Sequence, residues 1–282
     1  MSGEAIALLS ALLWASSSVL MGWGVKRLHV VPLNLIRCII STAFFWGLLP
    51  FFGGIEAIAA VPAEQWLWLF LSVATLLIVG DLLYFRSLDM AGVSWTMPVA
   101  SINPLWAVLL AALFIDEPLS WSLVAGAILV IAGVVLVSRS TPSGKTGPVD
   151  HRRQRIGLLL ALLTSVAWGI GQVILKPATE GMDSVIANSI RQPMAALTML
   201  GLALARGRLK DLRELDRRSW LAIVVASFVG TGLGSLLFVL SIQMVGAGRT
   251  AVLTSTAPLM AIPLAVLFLH ERPNLWTLMG TL

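Results

Sequence analysis

The chain has 282 residues, of which 58% are apolar and 12% are charged, and its mean hydropathy is +0.92. A soluble domain of this length cannot bury so much apolar surface, which excludes a soluble enzyme or binding domain and predicts an integral membrane protein in contact with the lipid bilayer. One cysteine and three scattered histidines exclude a disulfide framework and a cysteine-based metal site, so neither metal nor cofactor is expected. The net charge of +5 comes from short basic runs between apolar stretches, so nucleic acid is not an expected partner.

Ten apolar stretches are predicted to be membrane helices, because about 20 apolar residues cross the hydrocarbon core. The first lacks a basic leader and a small-residue cleavage site, which favours a retained helix over a signal peptide. Most connections are very short, so neighbouring helices are expected to be antiparallel. The predicted spans cover residues 4–24, 32–52, 65–85, 93–115, 119–138, 157–175, 184–205, 219–242, 250–269 and 273 onward.

The two halves of the chain match each other without a gap at one spacing, since Arg37 and Arg191 are 154 residues apart (191 − 37). Other rare residues repeat at this spacing: Trp14 with Trp168, Asn34 with Asn188, Trp66 with Trp220, Gly80 with Gly234, Pro104 with Pro258, and Glu117 with Glu271. We therefore predict two repeats of five helices, residues 1–139 and 156–282, joined by a linker at 140–155. Because five is odd, the second repeat enters the membrane from the opposite side. Residue 282 matches Ile128, so the tenth helix is expected to be cut short.

The basic residues predict the orientation. Fifteen of the nineteen Lys and Arg residues follow the first, third, fifth, seventh and ninth spans. Basic loops stay in the cytoplasm, so the N-terminus is predicted outside the cell (inner) membrane and the linker in the cytoplasm. The loop after span two has Glu56 and Glu64 but no Lys or Arg, whereas the matching loop after span seven is basic. This opposite bias favours inverted repeats, which recur in secondary transporters with the substrate site between the halves.

The segment from Ala91-Gly92-Val93-Ser94 through Pro104-Leu105 to Phe114-Ile115-Asp116-Glu117-Pro118-Leu119 resembles the EamA domain of the drug/metabolite transporter superfamily. The second half resembles it again, from Gly246 through Pro258-Leu259 to Glu271. This resemblance implies ten helices and export or exchange of small metabolites, amino acids or drugs. Related small multidrug resistance proteins couple drug to protons through a Glu of the first helix; here the matching positions are Trp14 and Trp168, which argues against that mechanism.

Three charged residues lie inside predicted spans, where a charge costs about 2.5 to 3.5 kcal/mol on insertion scales. Arg37 and Arg191 are candidates for attracting an anion or gating the site, or for a structural role in snorkelling or helix packing. Asp81 matches neutral Ser235 and so belongs to one half only. We expect Asp81 to pair with Arg37, with titration during transport as the alternative.

Further pathway candidates are uncharged. Trp14 and Trp168 lie about ten residues inside their helices, so they are expected either to face the pathway or to pack. Ser101 and Ser255 each precede a helix-breaking proline by three residues, which predicts a binding kink, a hinge or a tolerated kink. The remaining polar candidates for the pathway, with helix-to-helix hydrogen bonding as the alternative, are Ser17, Ser18, Tyr84, Asn103, Gln172 and Gln192. Glu117 and Glu271 are predicted to be solvated charges at helix turns.

Together these features predict a ten-helix secondary transporter that moves a small polar metabolite, such as an amino acid, by alternating access, as an exporter or an exchanger. A proton or a counter-substrate stays open as the coupling partner, and so does the oligomeric state. An intramembrane enzyme or a non-transporting scaffold is the alternative. The sequence lacks the paired acid and base inside the membrane that an enzyme would need. It also lacks a Walker-type loop, so ATP is not expected to drive transport directly.

Overall fold

The structure is a computed structural model that describes residues 1–24, 30–140, 151–209, 212 and 215–269. Glu271, the tenth predicted span and most of the predicted linker lie outside these residues. All regular secondary structure in the described part of the chain is helical, and six of its segments are long and apolar enough to cross a membrane. These segments are Gly3–Met21, Val31–Phe52, Ala63–Ala91, Trp95–Phe114, His151–Ala178 and Arg217–Val245. The predicted class, an all-helical integral membrane protein, agrees with this architecture.

The helices are numbered in chain order. The first half contains α1 (Gly3–Gly24), α2 (Val30–Leu48), α3 (Gly54–Ala59), α4 (Ala63–Val73), α5 (Asp81–Ala91), α6 (Val93–Ala100), α7 (Asn103–Phe114) and α8 (Trp121–Ser140). The second contains α9 (His151–Ala178), α10 (Ser184–Ala205), α11 (Arg217–Ser227), α12 (Ser235–Val245), α13 (Ala247–Thr254) and α14 (Ala257–Leu269). A short 3₁₀ turn, Leu49–Phe52, follows α2.

One π-helical segment interrupts the third predicted span of each half. Ala74–Gly80 joins α4 to α5, and Phe228–Gly234 joins α11 to α12. Two of the spans extend six residues beyond a predicted bound (91 − 85 and 157 − 151), the largest differences. The span formed by α4 and α5 continues to Ala91, and α9 begins at His151, inside the predicted linker. Predictions from apolar runs missed these ends because polar residues can continue a helix beyond the hydrocarbon core.

Helices α1 and α9 each pack mainly against the other half of the chain. Helix α9 contacts α4, α5 and α7, and α1 contacts α11, α12 and α14. Small residues allow the close approach, since a Cβ on Gly169 would lie 2.6 Å from the Cβ of Trp106. Large apolar side chains on the outside of the bundle, such as Leu113 and Leu129, are more than two-thirds exposed, as expected for residues that face lipid tails.

Candidate functional site

A central cavity of about 430 Å³ lies between the two halves of the chain. Its walls come from the middle of the long helices, so the cavity lies at the depth of the apolar segments. Eleven of the thirteen predicted pathway residues line it: Trp14, Arg37, Asp81, Tyr84, Ser101, Asn103, Trp168, Gln172, Arg191, Gln192 and Ser255. The structure therefore brings together side chains that are scattered over more than 240 positions of the sequence.

Ser17 and Ser18, the other two predicted pathway residues, do not line this cavity. The Ser17 hydroxyl is buried and donates to the carbonyl oxygen of Ala226 at 2.7 Å, which ties α1 to α11. The Ser18 hydroxyl donates to the carbonyl oxygen of Trp14 at 2.9 Å, one turn earlier in its own helix, and Ser18 is exposed. Both hydroxyls thus satisfy backbone carbonyls, the ordinary role of serine in membrane helices.

The two prolines predicted to kink their helices instead mark breaks in them. Helix α6 ends at Ala100 and α7 begins at Asn103, with Pro104 in its first turn. In the second half, α13 ends at Thr254 and α14 begins at Ala257. Proline has no backbone N–H to donate, so each helix stops before it and starts again. Ser101 and Ser255 lie at these breaks and line the cavity.

Each predicted aromatic candidate is held by the π-helical segment of the other half. The indole N–H of Trp14 donates to the carbonyl oxygen of Gly230 at 3.1 Å, and that of Trp168 donates to Leu76 at 3.1 Å. Trp14 stacks at an angle on Phe238, with ring centroids 5.1 Å apart, and Trp168 on Tyr84 at 5.2 Å. The two rings are therefore fixed in orientation where they line the cavity.

Arg37 and Asp81 approach each other, but the expected ion pair is replaced by a bridge through Asn34. Arg37 Nη1 donates to Asn34 Oδ1 at 3.0 Å, and Asn34 Nδ2 donates to Asp81 Oδ2 at 3.5 Å. No direct contact within 4.0 Å joins the two charges in the described part of the chain. Trp168 Nε1 also donates to Asp81 Oδ1, at 3.3 Å. A carboxamide can accept from one charge and donate to the other, so Asn34 completes a polar chain across the cavity wall.

Arg191 is almost fully buried, with 5% of its surface exposed. Its Nε donates to the Ser72 hydroxyl at 3.3 Å, and its Nη1 lies 3.5 Å from Asn188 Oδ1. Asn188 in turn donates to the carbonyl oxygens of Ser184 and Ser235. Arg37 has no counterpart of the Ser72 contact, because position 226 is alanine, and its Nε is buried without an acceptor.

Glu117 is not a simply solvated turn charge, so that prediction is wrong. Its carboxylate accepts hydrogen bonds from the backbone N–H groups of Ala247 at 2.7 Å and Gly248 at 3.0 Å. These are the first residues of α13, where free N–H groups and the helix dipole favour an anion. Glu117 therefore joins the turn after α7 to the second half of the chain.

Several cavity residues were not predicted from the sequence. Asn34 lies one turn before Arg37, and a buried polar neighbour of a membrane arginine is a signal that could have found it. Leu76, Met97, Met199 and Phe238 also line the cavity. They carry no such signal, because apolar residues are the background composition of this chain.

The model of the EamA-like transporter family matches residues 1–139 and again 155–282. The chain belongs to the EamA-like transporter family. As an EamA-like transporter it is a multi-pass membrane protein that takes a small-molecule substrate, and it is not an enzyme.

Relatives of this EamA-like transporter carry names of the same kind. An uncharacterized transporter of Archaeoglobus fulgidus is 27% identical over 268 residues, which cover 95% of this chain and 89% of that protein. The uncharacterized transporter YvbV of Bacillus subtilis is 27% identical over 60% of this chain and 53% of its own length. A protein of known crystal structure matches 99% of this chain and 91% of its own, with a TM-score of 0.83 and 20% identity. That likeness shows the fold.

Proposed function

We propose that this EamA-like transporter is a secondary transporter that moves a small polar metabolite, of about the size of an amino acid, across the cell membrane as an exporter or an exchanger. The proposal rests on the cavity, which is lined by polar and aromatic side chains from both halves. Concave sites with an apolar wall and a few converging polar groups are where small ligands bind. A volume of about 430 Å³ suits a single small solute.

Matching contacts support two inverted repeats within a ten-helix plan. The hydrogen bonds of Trp14 and Trp168 to the opposite π-helical segment repeat at the 154-residue spacing. So does a second set: the Ser87 hydroxyl contacts Thr96 at 2.8 Å and donates to the carbonyl of Gly157, and Ser241 contacts Thr250 at 2.8 Å and donates to Gly3. The contacts of the two tryptophans and the bonds to Gly157 and Gly3 join one half to the other with the roles exchanged, which is the arrangement expected of a pseudo-two-fold axis.

Alternating access follows from this arrangement. The helix breaks before Pro104 and Pro258 and the two π-helical segments are positions where a helix can bend without losing packed regular structure. Because the halves are equivalent in their contacts and opposite in orientation, exchanging their conformations would move the opening of the cavity from one side of the membrane to the other.

Counterflow in proteoliposomes tests the function. Vesicles loaded with one unlabelled compound are diluted into a trace of the same labelled compound, over a panel of amino acids, sugars, nucleosides and organic cations. A transporter accumulates the label transiently, whereas empty vesicles and vesicles with a denatured protein do not. Accumulation of no compound by a correctly folded protein would contradict the proposal.

A further inference from the structure

Three carboxamide side chains line the cavity without a hydrogen-bond partner among the residues that the structure describes. They belong to Asn103 at the start of α7, Gln172 in α9 and Gln192 in α10. Gln172 and Gln192 are 6% and 4% exposed, and the Oε1 atom of Gln172 is completely buried. Within the described ranges no side-chain hydrogen bond involves any of the three. Buried carboxamides are normally bonded, so three free ones in one cavity require an explanation.

The neighbouring polar side chains differ from these three carboxamides, because they form hydrogen bonds within the protein. Asn34 bridges Arg37 and Asp81, and Asn188 binds backbone carbonyls. Asp81 and Arg191 also have protein donors and acceptors. Arg37 donates to Asn34 through Nη1, and its buried Nε has no acceptor in the described part of the chain. Each of the three charged side chains of the cavity thus has at least one hydrogen bond within the protein, whereas the three neutral carboxamides have none among the described residues.

The fold does not need carboxamides at these three positions. At the matching positions of the other half, 154 residues away, Asn103 is replaced by Ala257, Gln172 by Ser18 and Gln192 by Cys38. The same helices pack in both halves with small side chains there. The three carboxamides are therefore not explained by packing of the repeat.

We infer that Asn103, Gln172 and Gln192 select the transported compound, and that this compound is an uncharged solute with several neighbouring hydroxyl or amide groups; the inference rests on the proposed transport function. Asn103 and Gln192 each offer an N–H donor and an oxygen acceptor, and Gln172 adds its N–H donor, since its Oε1 is buried. This set matches a vicinal diol or a lactam edge. The rings of Trp14 and Trp168 line the same cavity and offer walls for the face of a ring. Nucleosides and monosaccharides are the two common sources of this chemistry.

Counterflow with uridine, glucose, leucine, glutamate and lysine separates this inference from the function on which it rests. We expect exchange of uridine or glucose to be at least about tenfold faster than that of the three amino acids, since a site built for neutral hydrogen bonds rejects compounds that cannot pair with it. Uridine represents the nucleosides and glucose the monosaccharides, so their relative exchange rates distinguish these two classes. Exchange of the amino acids alone would overturn the inference and leave the transport function intact. Exchange of none of the five would overturn the inference also, and the wider panel would then decide the function.

Variants test the three residues. Gln172→Leu and Gln192→Leu are expected to raise the half-saturating concentration of the preferred probe about tenfold or more, with Gln65→Leu as a control outside the cavity. Thermal unfolding in detergent is the second measurement. Because neither glutamine side chain has a hydrogen bond to the described residues, both variants are expected to unfold at or above the temperature of the parent, but uridine or glucose should no longer raise that temperature.

A structural role predicts the opposite pattern. If Gln172→Leu and Gln192→Leu lower the unfolding temperature and leave the half-saturating concentration unchanged, the carboxamides support packing and the inference is wrong. Asn103→Ala, which copies the residue of the matching position, gives a third independent test with the same two measurements.

Discussion

Trp14 donates its indole N–H to the carbonyl oxygen of Gly230, 3.1 Å away in the π-helical segment of the opposite half. A π-helical turn shifts the backbone hydrogen bonds, which leaves carbonyl groups open to outside donors. Trp168 repeats the contact at Leu76. The Trp ring also needs room, which a glycine provides in each case: Gly234 lies beside Trp14 and Gly80 beside Trp168. These paired contacts hold the cavity walls in register.

Replacing Gly80 with Ala is expected to destabilise the protein by about 1 to 3 kcal/mol, the usual cost of overpacking. A Cβ at this position would lie 2.5 Å from Cδ1 of Trp168 and 2.9 Å from the carbonyl oxygen of Thr75. Trp168 cannot withdraw without breaking its hydrogen bond to Leu76, and the Thr75 carbonyl is a backbone group of the adjoining π-helical segment. Thermal unfolding in detergent measures the effect.

Gly201→Ala is the matched control, because a Cβ there meets nothing within 4 Å and Gly201 lies within α10. Alanine is the better helix former, so this variant is expected to be as stable as the parent or slightly more stable. Equal unfolding temperatures for Gly80→Ala and Gly201→Ala would contradict the close packing of Trp168.

Replacing Glu117 with Ala is expected to lower stability by about 1 to 2 kcal/mol, because two backbone N–H groups at the start of α13 lose their acceptor. Glu117→Gln keeps one acceptor oxygen but loses the charge, so its loss should be smaller. Glu56→Gln in the exposed α3 is the control and should have no effect. If Glu117→Ala unfolds at the parent's temperature, the carboxylate does not cap α13.

The helical class and most of the cavity residues could be predicted from the sequence, because polar residues inside long apolar runs are rare enough to stand out. Arg37, Asp81 and Trp168 are examples. The direction of a side chain within its helix could not be predicted: Ser18 is one turn from Trp14, yet it is exposed and outside the cavity. The role of Glu117 was also missed, since its partners are 130 and 131 positions away and are backbone groups. Nothing in the apolar runs indicates the π-helical segments.

Replacing Asp81 with Asn is expected to slow transport but to leave its pH profile unchanged. The amide oxygen still accepts from Trp168, whereas Arg37 loses the nearby negative charge that offsets it. Transport rates between about pH 6 and pH 8 test this, with Asp89→Asn as a control, since Asp89 pairs with Arg153 in an exposed position. A pH dependence that disappears in Asp81→Asn alone would show instead that Asp81 carries a proton during transport.

A reporter protein that fluoresces only in the cytoplasm is expected to be bright when inserted at residue 147 and dark when inserted at Glu180. Residue 147 belongs to the predicted cytoplasmic linker, outside the described residues, and Glu180 lies in the turn between α9 and α10. The prediction follows from the basic residues after alternate spans. Reversed signals at the two sites would place the N-terminus in the cytoplasm.

Cys38, the single cysteine of the chain, is expected to report occupancy of the cavity. It lines the cavity with 6% of its surface exposed, so a small maleimide should label it slowly. At a ligand concentration ten times its Kd, only about a tenth of the cavities are empty, and labelling should slow about tenfold. The ligand is the compound that exchanges fastest in counterflow.

The control combines Cys38→Ser with Glu180→Cys, whose exposed thiol should react at the same rate with and without ligand. Equal protection at both positions would mean that the ligand changes reagent access generally, and no protection at Cys38 would mean that the compound binds outside this cavity.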